Sequence, residues 1–354
     1  MFNPKFTISN QIVNRLSEIS EIKSMVERSK LIPSREVFLR RAAAIKMAHT
    51  STSIEGNTLK EYQVAEVAQG KKVIAQENQI KEVKNYLTAL KKIDILAQKK
   101  EFDIDDILNV HKTVMAGLIE TQKVGAWRSD QVYIVNILPS GKEEVAYVPP
   151  TSKKVPVLIK DLVGWLKKNK NLHPIIRAGL FHYQFETIHP FTDGNGRTGR
   201  LMTLLLLYQS GWDFKKVLVL EDYYNNERRR YYESLQTGST YEARQRVDLS
   251  EWLEYYVEAF LIEAGKVKDQ ILSISVVGNS LPTTKVLDKD ELKIIDFVVT
   301  LGQITSSDVV DILNIPRRTA QQKLKKLEDT KVLKKVGAGP STFYIVSTFS
   351  SSPA

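Results

Sequence analysis

Within twelve residues, HPFTDGNGRTGR (189–200), the chain places an imidazole, a carboxylate, two glycines flanking an asparagine, and two guanidiniums three positions apart. Each type suits one part of phosphate chemistry. Gly194 and Gly196 allow backbone conformations that a Cβ forbids, so main-chain N–H groups can converge on a ligand. Arg197 opens a strongly apolar helical run, which puts the segment at a helix N-terminus, where unpaired N–H groups and the helix dipole favour anions. Arg197 and Arg200 share a face of that first turn and form a polyphosphate cradle. Asp193 suits a Mg²⁺ bridging phosphate oxygens, and His189 can take a proton near neutral pH. Alone, a His before a Pro or an Asp-Gly-Asn-Gly turn is usually structural; together at this spacing they describe a phosphate-transfer centre with its own base.

The elements that must hold this segment read as mainly helical. Apolar residues recur at three- and four-residue spacing in SNQIVNRLSEISEIKSMVERSK, in REVFLRRAAAIKMAHTSTSIEGN, and from QVAEVAQG to about Ile95. DIDDILNVHKTVMAGL has an Asp-rich start that suits a helix N-terminus. GAWRSDQVYIVNILPSGKEEVAYVPP, residues 125–150, alternates around Pro139-Ser140-Gly141 and predicts a β-hairpin. Helices resume at VPVLIKDLVGWLKKN and run to about Val267. SVVGNSLPTTK reads as a linker. The last residues predict three helices, with Thr305 or Ser306 capping the second and Pro316 near the start of the third. KKVGAGPSTFYIVS closes them as a tight hairpin. That order resembles a winged helix-turn-helix domain, and Arg317 to Lys335 holds eight Lys or Arg against two acids.

Composition narrows the class. The chain has 354 residues and no cysteine, which excludes disulfides and thiolate metal sites. No apolar run approaches the ~20 residues that span a bilayer. The N-terminus lacks a secretion pattern, so a cytoplasmic protein with no membrane partner is expected. The formal charge of +10 suits an anionic partner but is common in soluble basic proteins. His49, His111, His173 and His182 show no metal spacing, and His182, seven residues before His189, reads as structural. Neither G-x-x-x-x-G-K-[ST] nor the kinase motif set occurs.

HPFTDGNGR with Arg200 resembles the Fic family signature H-x-F-x-[DE]-G-N-G-R-x-x-R at every specified position. Weaker similarity extends through much of residues 1–265. Fic proteins are helical with a small β-hairpin, in agreement with the pattern above. The resemblance implies a protein adenylyltransferase, which moves AMP from ATP to a Ser, Thr or Tyr hydroxyl of a target protein or of itself, with Mg²⁺. It implies His189 as the base, Phe191 bracing the loop from the core, and Asp193 holding the metal. Gly194, Asn195 and Gly196 would line the anion hole, with Asn195 on the α-phosphate, Arg197 on the β-phosphate side and Arg200 on the γ-phosphate. The hairpin corresponds to the family's flap, which registers a target by strand addition, with Ile134, Val135, Asn136 and Ile137 lining the nucleotide and target side. Tyr231 and Tyr232 fall where relatives contact adenine and ribose. Relatives often carry an Asn further on; here that region is TGST, with Ser239 near the place.

STSIEGN, residues 51–57, would by default be a capped loop. It is similar to the family's inhibitory pattern [S/T]-x-x-x-E-[G/N], with Ser51, Glu55 and Gly56 in place, which implies that Glu55 pairs with Arg200 and keeps ATP misplaced. The expected organisation is an N-terminal helical region (1–110), a Fic core (111–268) with a flap at 125–150, a linker (269–285) and a winged helix (286–354). Two alternatives stay open: a nucleotide-sensing DNA-binding transcriptional regulator, and a Fic enzyme acting mainly in de-AMPylation. Relatives often form homodimers.

Overall fold

The computed structural model describes residues 2–29, 33–137, 143–280, 288–301, 303–330, 332–339 and 342–347. In chain order the helices are α1 (Asn10–Arg28), α2 (Pro33–Ile54), α3 (Glu61–Ala68), α4 (Glu77–Leu96) and α5 (Ile104–Val114), followed by strands β1 (Ile134–Ile137) and β2 (Glu143–Tyr147). Then come α6 (Val155–Lys168), α7 (Pro174–Ile188), α8 (Asn195–Gln209), α9 (Leu220–Asn226), α10 (Arg228–Leu235), α11 (Tyr241–Arg244) and α12 (Ser250–Ser280). The chain ends in α13 (Lys289–Leu301), α14 (Ser306–Leu313), α15 (Arg317–Asp329), β3 (Leu333–Val336) and β4 (Phe343–Val346). It is mainly helical, as the sequence predicts. Two compact units emerge: residues 1–24 with 43–265, and residues 25–42 with 266–354.

The first unit is built around α7 and α8. Almost every residue of α7 from Ile175 to Ile188 is buried, and a helix covered all round lies in a protein's interior. α4 and α5 pack on α8, and α6 packs on α7. Local chemistry marks the ends of these elements. Asp103 caps α5 by accepting from the Asp106 N–H at 3.0 Å, while the Asp106 carboxylate accepts from the Asp103 N–H at 3.1 Å, a reciprocal capping box. Pro174 occupies the first turn of α7, where its missing N–H costs nothing. β1 and β2 pair antiparallel with Asn136 opposite Glu144 and an irregularity between Ile134 and Val135. The Pro139-Ser140-Gly141 turn lies outside the described residues.

Three boundaries differ from the expectation. The pattern from QVAEVAQG to Ile95 is broken: α3 stops at Ala68, and Gly70 takes a left-handed conformation (φ 74°) before α4 begins. STSI forms the last turn of α2, within the helical pattern read there, and Gly56 (φ 98°) turns the chain just after it. The linker expected at 269–285 is helical as far as Ser280, because the apolar spacing of α12 continues through this stretch and one glycine costs a helix only about 1 kcal/mol. The first unit also unites most of the N-terminal region with the core instead of separating them near residue 110.

The second unit has its own core of Ile294, Ile295, Val298, Ile304, Val309, Ala320, Leu324, Leu327 and Leu333. Thr305 caps α14, its hydroxyl accepting from the Asp308 N–H. Asn314 ends α14 in the left-handed region, and Pro316 precedes α15. β3 and β4 form a hairpin with Leu333 opposite Val346, and Ile304 bridges Tyr344 through two backbone hydrogen bonds of 2.9 and 2.8 Å.

Candidate functional site

The motif loop begins where α7 stops. His189 adopts a left-handed conformation (φ 50°, ψ 63°), its N–H donating to the Phe185 carbonyl. For a residue with a Cβ this backbone costs of order 1–2 kcal/mol, so the surroundings must hold it. Arg128 does so. Its Nε donates to the His189 carbonyl at 2.8 Å, Nη1 donates to the Asp130 carbonyl at 3.1 Å, and Nη2 donates to the Pro150 carbonyl. The Arg128 N–H donates to the Pro190 carbonyl at 3.0 Å. One buried guanidinium thus ties the loop to both stems of the hairpin.

The rest of the loop is braced from two sides. Asn195, first residue of α8, folds back so that Nδ2 donates to the Phe191 carbonyl at 2.9 Å and Oδ1 accepts from the Phe191 N–H at 2.8 Å. His111 Nδ1 accepts from the Gly125 N–H at 3.0 Å, which leaves Nε2–H to donate to the Asp193 carbonyl at 2.9 Å. The His111 ring stacks on Phe191 at 3.6 Å, and burial pulls its pKa down to about 4, so it holds the loop as a neutral ring. Phe191 is fully buried. Gly194 is left-handed (φ 78°), and a Cβ there would sit 2.5 Å from Met115 Sδ. Only glycine fits.

The N–H groups of the first turn of α8 have no acceptor within the helix. Beside them stand both motif arginines, each already paired. Arg200 Nε donates to Ser51 Oγ at 2.8 Å, and Nη2 donates to the Ser51 carbonyl at 2.9 Å and to Glu55 Oε1 at 2.7 Å. A Cβ on Gly196 would overlap Glu55 Oε1, so this glycine makes room for the approach of Glu55. Burial works against the Glu55 carboxylate, yet the Arg200 and Arg197 charges outweigh it and hold its pKa below the ordinary value. Arg197 Nη1 lies 2.5 Å from Glu82 Oε1 and Nη2 lies 2.9 Å from Asp193 Oδ1. Burial pushes the Glu82 carboxyl up, and Arg197 with the Asn57 amide offsets this only in part.

His189 lies close enough to Glu55 for their charges to interact. Burial lowers its pKa to about 4, with the Glu186 carbonyl and the Glu55 carboxylate opposing, so the ring is neutral and has a lone pair for a proton at physiological pH. Glu186 lies one turn back on α7, its carboxyl raised to about 7 by burial, and it packs so close to Gly199 that a Cβ would meet its oxygen at 2.5 Å.

The structure brings together His189, Asp193, Gly194, Asn195, Gly196, Arg197, Arg200, Ser51 and Glu55. Two of the expected site side chains are engaged within the protein. Both ends of the Asn195 side chain are held by the Phe191 backbone, so its amide braces the loop. Tyr231 is 1% exposed, stacks on Tyr224 and shares a hydrogen bond with His182 Nε2, so it is a core residue. Aromatic residues at helical spacing bury as readily as they bind. Tyr232 stays half exposed, its hydroxyl donating to the Ile54 carbonyl at 3.3 Å beside the turn that carries Glu55. On the hairpin, Val135 and Asn136 are exposed and Ile134 is half-buried, while the Ile137 side chain lies outside the described set. Ser239 uses its carbonyl to accept from the Val148 N–H. His111, Arg128 and Glu82 escaped sequence reading. The one available signal was His111 on the buried stripe of an Asp-capped helix.

Comparison with known proteins finds similarity over part of the chain. Residues 101–207, from just before α5 nearly to the end of α8, match the model of the Fic/DOC family. This stretch, which holds the motif loop and both motif arginines, is thus similar to a Fic domain. The chain is 32% identical over 202 residues to the protein adenylyltransferase Fic of Drosophila willistoni, a match covering 56% of this chain and 36% of that protein. It is 34% identical over 181 residues to protein adenylyltransferase fic-1 of Caenorhabditis elegans, covering 49% and 33%. The chain therefore matches about a third of the length of these curated relatives. A crystal structure of a Fic family protein from Desulfovibrio desulfuricans G20 superposes with a TM-score of 0.65 at 27% identity, over 99% of this chain and 100% of that one. Among the described residues no helix is long and apolar enough to cross a membrane.

Proposed function

We propose that this protein transfers AMP from ATP to a hydroxyl of a target protein, and that Glu55 restrains the reaction. The observation that carries the reading is a half-buried, neutral His189 near the open N-terminus of α8, with two guanidiniums on the same turn. Relatives named protein adenylyltransferase support it. In the reaction the target oxygen bonds to the α-phosphorus and its proton passes to His189. The bond from the α-phosphorus to the bridging oxygen breaks, and pyrophosphate leaves. The first-turn N–H groups and Arg197 receive the charge that develops on the phosphates, while positioning supplies most of the rate. Asp193 would hold Mg²⁺: a half-exposed carboxylate next to a phosphate cradle fits an ion usually bound by one or two carboxylates plus phosphate oxygens. That ion would neutralise phosphate charge.

Glu55 occupies the Arg200 fork that a γ-phosphate needs, so ATP entering with Glu55 in place is displaced from in-line geometry. The target binds along the free edge of β1. A Ser, Thr or Tyr hydroxyl serves, including one on this chain, and a homodimer is compatible with the site. The decisive experiment incubates wild type, Glu55→Gly and Glu55→Gly/His189→Ala with Mg²⁺ and ATP labelled on the α-phosphate. Label on protein in the Glu55→Gly sample alone supports transfer, base and brake together. No label in any sample overturns transfer and favours hydrolytic removal of AMP. A second reading rests on the second unit, whose α13–α15 and β3–β4 we assign as a winged helix. Arg317, Arg318, Lys325, Lys334 and Lys335 are exposed on α15 and β3, and they would contact DNA phosphates in a nucleotide-sensing regulator.

A further inference from the structure

Glu82 belongs to no motif, yet it joins two parts of the site. Its Oε1 lies 2.5 Å from Arg197 Nη1, and its Oε2 accepts from Asn57 Nδ2 at 2.8 Å. Asn57 directly follows Glu55-Gly56. The same amide donates to the Gln79 carbonyl at 3.0 Å, while Asn57 Oδ1 accepts from the Leu59 N–H at 3.0 Å. The Asn57 backbone in turn closes the end of α2, its N–H donating to the Thr52 carbonyl at 3.1 Å. Asn57 is therefore a clasp between α4, which carries Glu82, and the turn that carries Glu55. Around the cradle, two guanidiniums face three carboxylates: Glu55, Glu82 and Asp193. A polyphosphate arriving here meets arginines that are already neutralised.

We infer that Glu82 is a second lock on the phosphate cradle, holding Arg197 as Glu55 holds Arg200, and that Asn57 couples the two so that they release together. The inference rests on the nucleotide-transfer reading of the site. The physical basis is competition. Arg197 has both Nη groups on carboxylates and must leave at least one to meet a phosphate. The largely buried Glu82 carboxylate can give up Arg197 only by shifting toward other partners, and the Asn57 amide ties any such shift to the turn that carries Glu55. Glu82 is thus a positioning residue acting through Arg197.

The test is ADP binding to the full chain by calorimetry, because ADP lacks the γ-phosphate that Glu55 opposes. Glu82→Gln keeps the shape and an oxygen for Asn57 but removes the charge on Arg197. It should bind ADP about tenfold tighter than wild type; in a Glu55→Gly background it should lower KM for ATP while kcat stays within twofold. A purely structural role predicts a fall in kcat instead. Unchanged or weaker ADP binding by a folded Glu82→Gln variant overturns the lock. If that variant fails to fold, Asn57→Ala decides the matter, since it leaves both ion pairs in place. About threefold tighter ADP supports the coupling, and no change overturns it. Absence of ADP binding in wild type and every variant overturns the nucleotide reading, and the lock with it.

Discussion

Arg200 and Arg318 carry the same guanidinium into opposite settings. The Arg200 side chain is 2% exposed and committed to Ser51 and Glu55 by three hydrogen bonds. Arg318 lies exposed near the start of α15. In the second unit the paired cations serve packing: Lys323 reaches Asp288 and Asp290, and Lys326 reaches the buried carboxylate of Glu291. Burial makes a cation selective, because a desolvated charge must have partners and any ligand has to replace them. Exposure leaves a charge screened and interchangeable, suited to a diffuse anionic surface. The first region can act as a switched site; the second can act only as a patch.

The contrast breaks most visibly at the base. His189→Ala in the Glu55→Gly background should lower AMP transfer by about a thousandfold, within the range expected of a general base. A fall under tenfold in the α-label assay would remove His189 from that role. Next comes Arg128→Ala, which strips three carbonyls of a buried donor and frees a strained His189. It should cost about 3 kcal/mol in denaturant unfolding, and Lys should not rescue it, having no planar fork. Glu55→Gly should raise transfer about tenfold to a hundredfold, measured at saturating ATP; an unchanged rate would mean that the buried pair does not control the cradle.

Acid sharpens the comparison further. His111, His182 and His189 have folded-state pKa values of about 4, 3 and 4, all pulled down by burial from the 6.5 of an exposed imidazole. Between pH 6.5 and 4 the unfolded chain binds protons that the folded unit refuses, so their contribution to stability is complete above about pH 6.5 and is lost as pH falls through that window. The thermal midpoint of the first unit should drop accordingly, because each tenfold loss of proton affinity on folding is worth about 1.4 kcal/mol. A midpoint flat from pH 7 to 4.5 would contradict the burial of these rings. The smallest effect is expected for Arg318→Ala. Stability should change by less than about 0.5 kcal/mol, and if the patch meets DNA the salt dependence of binding should fall by about one counterion.

Legibility in the sequence followed the range of the interaction. His189 to Arg200 could be read because a turn and the first turn of a helix are local: glycine at 194 permits the left-handed backbone, and spacing alone puts both arginines on one face. The apolar runs on either side of the motif disclosed the buried α7 and α8 for the same reason, and the Thr305 cap was legible likewise. Ser51 and Glu55 were legible only as a family pattern, since nothing near residue 55 indicates an arginine 145 positions away. Tyr231 misled because a helical stripe of aromatics does not say whether it faces a ligand or Tyr224.

By itself, then, the sequence determined which residues could do chemistry and which backbone would present them. Only tertiary structure decided their partners. The ion pair of Glu82 with Arg197 closes across 115 positions, and the hydrogen bonds of His111 with Asp193 and of Arg128 with His189 close across 82 and 61. The first two depend on helices that come together for unrelated reasons, by burial of the apolar faces of α4, α5 and α8, and the third on the hairpin stems meeting the end of α7. A lone polar residue on such a face carries no local signature, and its role exists only once the core has closed around it.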